Sequence, residues 1–363
     1  MSKEKITSQQ VAQLAGVSQS AVSRVYTQGA SASKKTTAKV HKAAATLGYR
    51  PNVLARAMVS GKSRIIGLVV AYLENQFYPD AIEKLSTQLQ EKGYHVLIFM
   101  ASKTASNIDS VVEEILDYQV EGIIFASVAL SSQLADRCRS AGIPIVLFNR
   151  SQDGEGLSCV TSDNFSGGAK AARFLLAGGH KKIGYIAGWE GASTQRDREF
   201  GFTAALQQAG ATLYAREVGD FSMEKASAAT RRMFSNAQPD AALNDDPDTA
   251  FIDGPDAALK ESPDAVFVAN DHMAFAVMDT LRFELGLRIP EDVSVISYDD
   301  VPAAAWPAYN LTTVRQRANQ MVQETVRILM EQIHSDGLQS QQIAIGSPII
   351  VRGSARIPEG WDS

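Results

Sequence analysis

From Ile65 onward the chain alternates apolar runs of strand length with amphipathic runs of helix length, and that alternation leaves few folds open. IIGLVVA is followed by PDAIEKLSTQLQEKG, HVLIFMA, SNIDSVVEEILDYQV, EGIIFAS, SQLADRCRSAG and IPIVLFN. Strands that are apolar on both faces and joined through helices require a parallel sheet covered on both sides. A second series begins near Thr161 with FSGGAKAARFLLAGG and KKIGYIAG. It continues through REFGFTAALQQAG, FSMEKASAATRRMF, DAVFVA, HMAFAVMDTLRFELG and VSVISY. Two successive doubly wound α/β units follow, and ligands of such sheets bind beyond the carboxyl ends of the strands, here between two lobes. One stretch breaks the rhythm, about residues 240–262, which is acidic and punctuated by proline; QPDAA at 238–242 echoes SPDAV at 262–266. The helix before it and the strand after it are complete without it, so a surface loop is expected.

Ahead of this body lies TSQQVAQLAGVSQSAVSRVY, Thr7 to Tyr26. Thr7 followed by Gln10 is a capping box, in which each side chain satisfies a backbone amide at the helix start. Val11, Leu14 and Ala15 recur at helical spacing and are expected inward, and Gly16 supplies the left-handed turn that ends the helix. Val17 closes the corner. Ser18 caps a second helix with Ala21, Val22 and Val25 inward and Gln19, Ser20, Ser23 and Arg24 on the other face. Two short helices joined by a glycine turn make a helix-turn-helix whose second helix is shaped for a major groove. A helical hairpin inside a core has the same spacing, and the flanks decide between the two. Ser33 opens a third helix, with Val40, Ala44 and Leu47 inward, Gly48 at its end and Lys34, Lys35, Lys39 and Lys42 on its polar face. Pro51 then opens VLARAM, a helix of two turns that is marginal in water by itself.

Charge supports the division. Residues 1–64 hold eleven Lys and Arg against the one acid Glu4, a net +10, while the whole 363-residue chain carries −5, leaving −15 on the remainder. A basic head on an acidic body reads as a nucleic-acid-binding module joined to something that is not one. No apolar run approaches a membrane span, and MSKEKITSQQ lacks the apolar core of a signal peptide, so a cytoplasmic, nucleoid-associated protein is expected. Cys138 and Cys159 show no CxxC spacing and the five histidines are scattered, which indicates free thiols and no metal or other cofactor. No GxGxxG, P-loop or GxSxG pattern stands where a strand enters a helix, and GKS at 61–63 has Arg56 where a phosphate loop needs glycine. An enzyme is therefore disfavoured. A solute-binding protein is disfavoured by the basic head and the missing signal peptide.

Taken together and in order, VAQLAGVSQSAVSRV, GYRPNVLARAM, IGLVV, GHKKIGYIAG, REFGF, VFVANDHMA, GLRIPEDVSVISYDD and LTTVRQ resemble the LacI–GalR family of bacterial transcription regulators over essentially the whole chain. The resemblance implies an allosterically controlled, sequence-specific repressor without enzymatic activity. Such proteins are homodimers, often dimers of dimers, whose paired heads bind a near-palindromic double-stranded operator. Their periplasmic-binding-protein-like bodies bind a small polar effector such as a sugar or sugar acid. The fold expected is an all-α helix-turn-helix head over 1–50, a hinge helix and linker over 51–64, and a two-lobed α/β effector-binding and dimerisation domain over 65–363. Lobe 1 is expected at about 65–162 and 297–325, and lobe 2 at about 163–296 and 326–356.

Residue by residue, the family's recognition helix falls on Ser18 to Tyr26. Gln19, Ser20 and Arg24 are then expected at base edges, Ser23 on the adjacent phosphate, Ser33, Thr36 and Asn52 on the DNA backbone, and Thr7 on the same DNA-binding face. Met58 stands where the family wedges an apolar side chain, usually leucine, into the minor groove, and the small Ala55 permits close approach; a core methionine is the alternative for Met58. For the effector the resemblance points to Phe77, Tyr78, Ser127, Asn149, Arg150, Thr194, Arg198, Phe221, Asn270 and Asp299. Arg198 can fork onto a carboxylate, phosphate or vicinal hydroxyls, or else pair on the surface with Asp197 or Glu199. Asp299 can accept ligand hydroxyls. Phe77, Tyr78 and Phe221 can stack on a ring, with plain core packing the alternative for Phe77 and Phe221. The family commonly has aspartate where Asn149 stands. Neutral Asn149, followed by Arg150 and faced by Arg196 and Arg198, hints at a negatively charged ligand.

Overall fold

The computed structural model describes residues 6–26, 30–50, 63–101, 108–128, 130, 132–152, 156–235, 262–335 and 339–361. The hinge positions Asn52, Ala55 and Met58, and all but the last residue of the 240–262 segment, lie outside them. The chain divides into two compact units, Met1–Ile65 with Leu116–Glu121, and the remainder.

In the head, α1 (Ser8–Ala15), α2 (Gln19–Tyr26) and α3 (Lys34–Leu47) surround a small core of Val11, Ala12, Ala15, Val22, Val40, Ala43 and Ala44. Both arms of the capping box are present at α1, and Gly16 turns it off at φ 65°. Ser33 caps α3 and Gly48 ends it at φ 68°. Val17, Val25 and Leu47 are half-buried against this core. Leu14 departs from expectation: it is 54% exposed, and Ala12 takes the inward place. At about 100° per residue, Val11, Ala15 and Ala12 fall within one arc, whereas Leu14 lies outside it on the Val11 flank.

In the body, one sheet has the order β11-β5-β4-β3-β1-β2, built from β1 (Ile65–Val70), β2 (His95–Met100), β3 (Gly122–Ala126), β4 (Ile145–Phe148), β5 (Ser158–Ser162) and β11 (Gln342–Ile345). The second has the order β12-β10-β9-β8-β6-β7, from β6 (Ile183–Ala187), β7 (Ala215–Val218), β8 (Ala265–Val268), β9 (Ser294–Asp299), β10 (Thr312–Arg315) and β12 (Ile349–Ile350). The pairings β1·β3, β3·β4 and β4·β5 are parallel, with Ile66 opposite Gly122. In the second sheet β12 runs antiparallel to β10. The central strands are buried on both faces, as their unbroken apolar runs require.

The C-terminal lobe boundaries differ from those expected. β9 and β10, placed by sequence partly or wholly in lobe 1, are central strands of the second sheet. The helix Ala318–His334, divided by sequence between the lobes, packs on β4 and β5 of the first sheet, as does β11 on β5. The chain therefore passes between the lobes three times, at 162–164, 315–318 and 345–349. A polar strand such as TTVR carries no mark of which sheet it completes; pairing decides it.

The first lobe carries α4 (Phe77–Glu91), α5 (Ile108–Asp117) and α6 (Ser132–Ser140), and two helices of the second lobe, α7 (Asn164–Ala177) and α8 (Ser193–Gln208), approach unusually closely. A Cβ on Gly168 would lie 2.1 Å from the Arg198 carbonyl oxygen, and one on Gly201 2.0 Å from that of Phe165. Absence of a side chain at these two positions lets the backbones meet. Among the described residues no helix is long and apolar enough to cross a membrane. Cys138 and Cys159 are buried free thiols.

Candidate functional site

Two separate surfaces carry the residues singled out from sequence. In the head, Val22 anchors α2 inward, which leaves Gln19, Ser20, Ser23 and Arg24 exposed together. Gln19 Nε2 donates to Ser8 Oγ at the start of α1 at 2.9 Å, and Arg24 Nε to the Ser20 carbonyl of its own helix at 3.4 Å. Ser18 Oγ accepts from the Ala21 amide at 3.2 Å and stands 2.9 Å from Ser20 Oγ. Thr7 Oγ1 accepts from the Gln10 amide, and Ser33 Oγ from the Thr36 amide at 3.1 Å with Thr36 Oγ1 2.8 Å away. These hydroxyls stand at helix N-termini, where amides favour anions such as phosphate. Lys34, Lys35, Lys39 and Lys42 are all exposed on α3.

In the body, the site forms at the carboxyl ends of strands from both sheets. The residues there are held in a conformation that non-glycine residues seldom adopt: Ser127 after β3 at φ 61°, Asn149 after β4 at 55°, Asp220 and Phe221 after β7 at 54° and 55°, and Asp299 at 126°. Such positions cost about 1–3 kcal/mol each and cluster where ligands are held.

On the first lobe Asn149 Nδ2 donates to the Tyr78 hydroxyl at 3.1 Å. Arg150, 5% exposed, reaches across the cleft, donating from Nη1 to Thr194 Oγ1 at 2.8 Å and to its neighbour's carbonyl at 2.9 Å. Beside it the Ser151 amide donates to Ser193 Oγ at 2.9 Å, so the first turn of α8 is tied directly to the opposite lobe. Three buried polar atoms here have no hydrogen-bond partner: Ser127 Oγ, Asn149 Oδ1 and Arg150 Nε. Buried polar groups are nearly always satisfied, so three orphans in one place point to a ligand.

On the second lobe Arg198 is buried, not a surface residue paired with Asp197 or Glu199. Its Nε donates to Asn164 Oδ1 at 2.8 Å, its Nη1 to the Ala269 carbonyl at 2.6 Å, and its Nη2 stands 3.6 Å from Asp299 Oδ1. The guanidinium also lies over the Tyr298 ring, 3.8 Å from its centroid, a cation–π placement. Asp299 accepts from Asn75 Nδ2 of the first lobe at 2.8 Å and from Gln316 Nε2 at 2.6 Å. Gln316 in turn accepts from Ser162 Oγ at 2.9 Å, so one amide joins two of the interlobe crossings to the cleft carboxylate. Burial raises the Asp299 carboxyl above its ordinary range despite the opposing pull of Arg198. Nearby Asp271, fully buried, is raised by burial first and by the Asp299 charge second.

The other expected residues lie nearby in supporting roles. Phe77 is buried and stacks on Phe148, centroids 6.1 Å apart, which is core packing. Phe221 is buried with its ring against Gly188, where a Cβ would come within 2.2 Å. Asn270 spends its Oδ1 on the Met273 amide as the cap of the helix Asp271–Asp279. Arg196, by contrast, has a half-exposed side chain whose Nε donates to Asp197 at 3.0 Å. Sequence reasoning missed Asn75, Asn164, Asp271 and Gln316. Gln316 and Asp271 stood inside quoted stretches, LTTVRQ and VFVANDHMA, whereas Asn75 and Asn164 carry no local signal. Beside Phe77, Asp299 and Gln316 a cavity of about 640 Å³ also opens toward Lys84 and Arg317. Among the described residues no cluster of His, Cys, Asp and Glu could hold a metal ion.

Residues 7–52 match bacterial regulatory proteins of the lacI family, and residues 172–355 match the periplasmic binding protein-like domain. The chain is 28% identical over 359 residues to the HTH-type transcriptional repressor PurR of Haemophilus influenzae, covering 96% of this chain and 98% of that one. To the ribose operon repressor of Escherichia coli K12 it is 27% identical over 355 residues, covering 96% and 99%. Among solved structures it resembles the Lac repressor dimer bound to operator and the anti-inducer ONPF, at 25% identity and TM-score 0.82, covering 97% and 99%. It also resembles a complex of the transcriptional regulator CelR with cellobiose, at 27% identity and TM-score 0.68, covering 96% and 100%.

Proposed function

Because the chain belongs to the lacI family of bacterial regulatory proteins, we propose that it is a transcriptional repressor whose grip on a near-palindromic operator is set by a small polar effector, a sugar or sugar acid, held between its lobes. The observation that carries the effector half is the set of left-handed residues and orphaned buried polar atoms at the strand ends. The exposed face of α2 in a basic head supports the operator half.

In this reading a homodimer presents two heads to successive half-sites. Arg24 grips guanine and Gln19 grips adenine, each good pair discriminating by about 1–3 kcal/mol. Ser20 joins them at base edges, Ser23, Ser33, Thr36 and Asn52 hold the backbone, and Met58 with Ala55 works the minor groove at the operator centre. The effector bridges groups from both lobes, and its preference for one lobe arrangement biases the pairing of the hinge helices. Such coupling is reciprocal: an effector that loosens the operator complex is itself bound less tightly by that complex. The protein acts in the cytoplasm and catalyses no reaction.

The test is a gel shift with DNA from the protein's own genomic neighbourhood, titrated with salt. Retention of one fragment with steep salt dependence is the expected result. If no fragment is retained even at low salt, the regulator reading fails.

A further inference from the structure

Two buried guanidinium groups meet in the cleft, and they differ in how their charge is answered. Arg198 has a counterion, Asp299, with both side chains almost wholly buried. Arg150 has none: its bonds go to a carbonyl and a hydroxyl, both neutral, its Nε has no partner, and among the described residues no carboxylate comes within ion-pair distance. Asp299, held by Asn75, Gln316 and Arg198, acts on Arg150 only from beyond ion-pair distance, which leaves one carboxylate to answer two guanidinium groups. A buried cation without a counter-charge is costly, and the cost is removed when an anion binds.

The surroundings suit such a ligand. Ser127 Oγ and Asn149 Oδ1, both buried and unpartnered, flank Arg150 at the ends of β3 and β4. An amide oxygen accepts from a ligand hydroxyl, and a serine hydroxyl either donates or accepts. Thr194, which takes the Arg150 bond, lies in the first turn of α8, whose N-cap Ala192 makes no side-chain cap bond. That helix end adds positive potential beside the guanidinium.

We propose that the effector is a sugar acid, with its carboxylate received by Arg150 and its hydroxyls by Asn149 and Ser127. The proposal rests on reading the cleft as the effector site. One unanswered guanidinium balances one negative charge, which favours a carboxylate over a phosphate carrying about −1.5 to −2.

The experiment is calorimetric titration of the full-length protein with glucose, galactose and ribose, with gluconate, glucuronate and galacturonate, and with glucose 6-phosphate and inorganic phosphate. At least one acid is expected to bind about 10- to 100-fold more tightly than its neutral parent, the range of one charge-assisted hydrogen bond. Arg150→Gln should abolish that preference, Arg150→Lys should retain part of it, and Arg196→Gln, at a half-exposed position, should leave it intact. Circular dichroism and operator retention establish that each variant is folded. Tightest binding by a neutral sugar, by the sugar phosphate or by inorganic phosphate overturns the proposal, as does the failure of every acid to bind at millimolar concentration. Operator gel shifts on the same samples keep the two readings apart. Operator retained without acid preference sinks the anionic effector alone; operator not retained sinks the regulator reading itself.

Discussion

Gly168→Ala is a perturbation whose sign separates two accounts of the second lobe. A lone glycine inside an exposed helix costs about 1 kcal/mol relative to alanine, so propensity alone predicts stabilisation. Geometry predicts the opposite. The new Cβ would meet the Arg198 carbonyl oxygen at 2.1 Å, the Arg198 carbonyl carbon at 2.9 Å and the Phe202 amide nitrogen at 3.0 Å, all of them backbone atoms that no rotamer change can move. Ordinary contact begins near 3.4 Å, so α7 and α8 must separate by about 1.3 Å at this point. Overpacking of this kind typically costs about 1–3 kcal/mol, and the helix-propensity gain offsets only part of it. The displaced backbone is also the one that presents the Arg198 guanidinium to Asn164 across the same interface. Urea unfolding should therefore show a lower midpoint at an unchanged slope, and effector affinity should fall with it. A raised midpoint would show that the helices are not in close contact here, and the account of how Arg198 is positioned would go with it.

Other consequences are equally direct. A carboxyl whose pKa is raised on folding keeps its proton in the folded chain where the unfolded chain has lost it, so stability falls as pH rises above the ordinary 3.8 of Asp271. Asp271→Asn should flatten urea midpoints between about pH 5 and about pH 8, and an undiminished slope would assign the pH dependence elsewhere. Thr7→Ala removes one arm of a capping box and should lower head stability by about 1 kcal/mol, read from its thermal transition; no change would show the cap to be idle. Lys34→Ala and Lys35→Ala should weaken all DNA alike and reduce the salt slope by about 0.9 each. Arg24→Ala should instead relax discrimination at one base position, and a uniform loss across sequences would mean that α2 does not read bases there.

Those elements whose identity is written locally were legible from sequence. Thr7, Gly16, Ser33 and Gly48 mark helix ends through caps and left-handed turns, and strands such as Ile65–Val70 and Gly122–Ala126 announce themselves through apolar runs. The short strands β5, β7, β10 and β11 are mixed in polarity and β12 is only two residues long, so their places are set by pairing with other strands and no window of sequence reveals them. The lobe assignments of 297–315 and 326–345 went astray for that reason. The cleft shows the same division. Arg198 and Asp299 stood out by residue type at a strand or helix end, whereas Asn75 and Asn164 matter only because folding brings them to those two side chains. Leu14 and Arg196 are the converse: a pattern suggested one role and the local packing gave another.

The three passages of the chain between lobes bear on the order in which the protein is made. The head holds itself together through contacts close in sequence, so it is able to fold while most of the chain is still unmade. Neither lobe shares that independence. β5 waits for β11, a partnership in which the Gln341 amide donates to Ser158 across 183 residues, and β10 waits for β12. During synthesis β5 is therefore an open edge of the kind on which strands aggregate. The cleft is complete only after Gln316 and Ile345 have emerged, so on the ribosome the DNA-reading end precedes the sensing end by most of the chain's length.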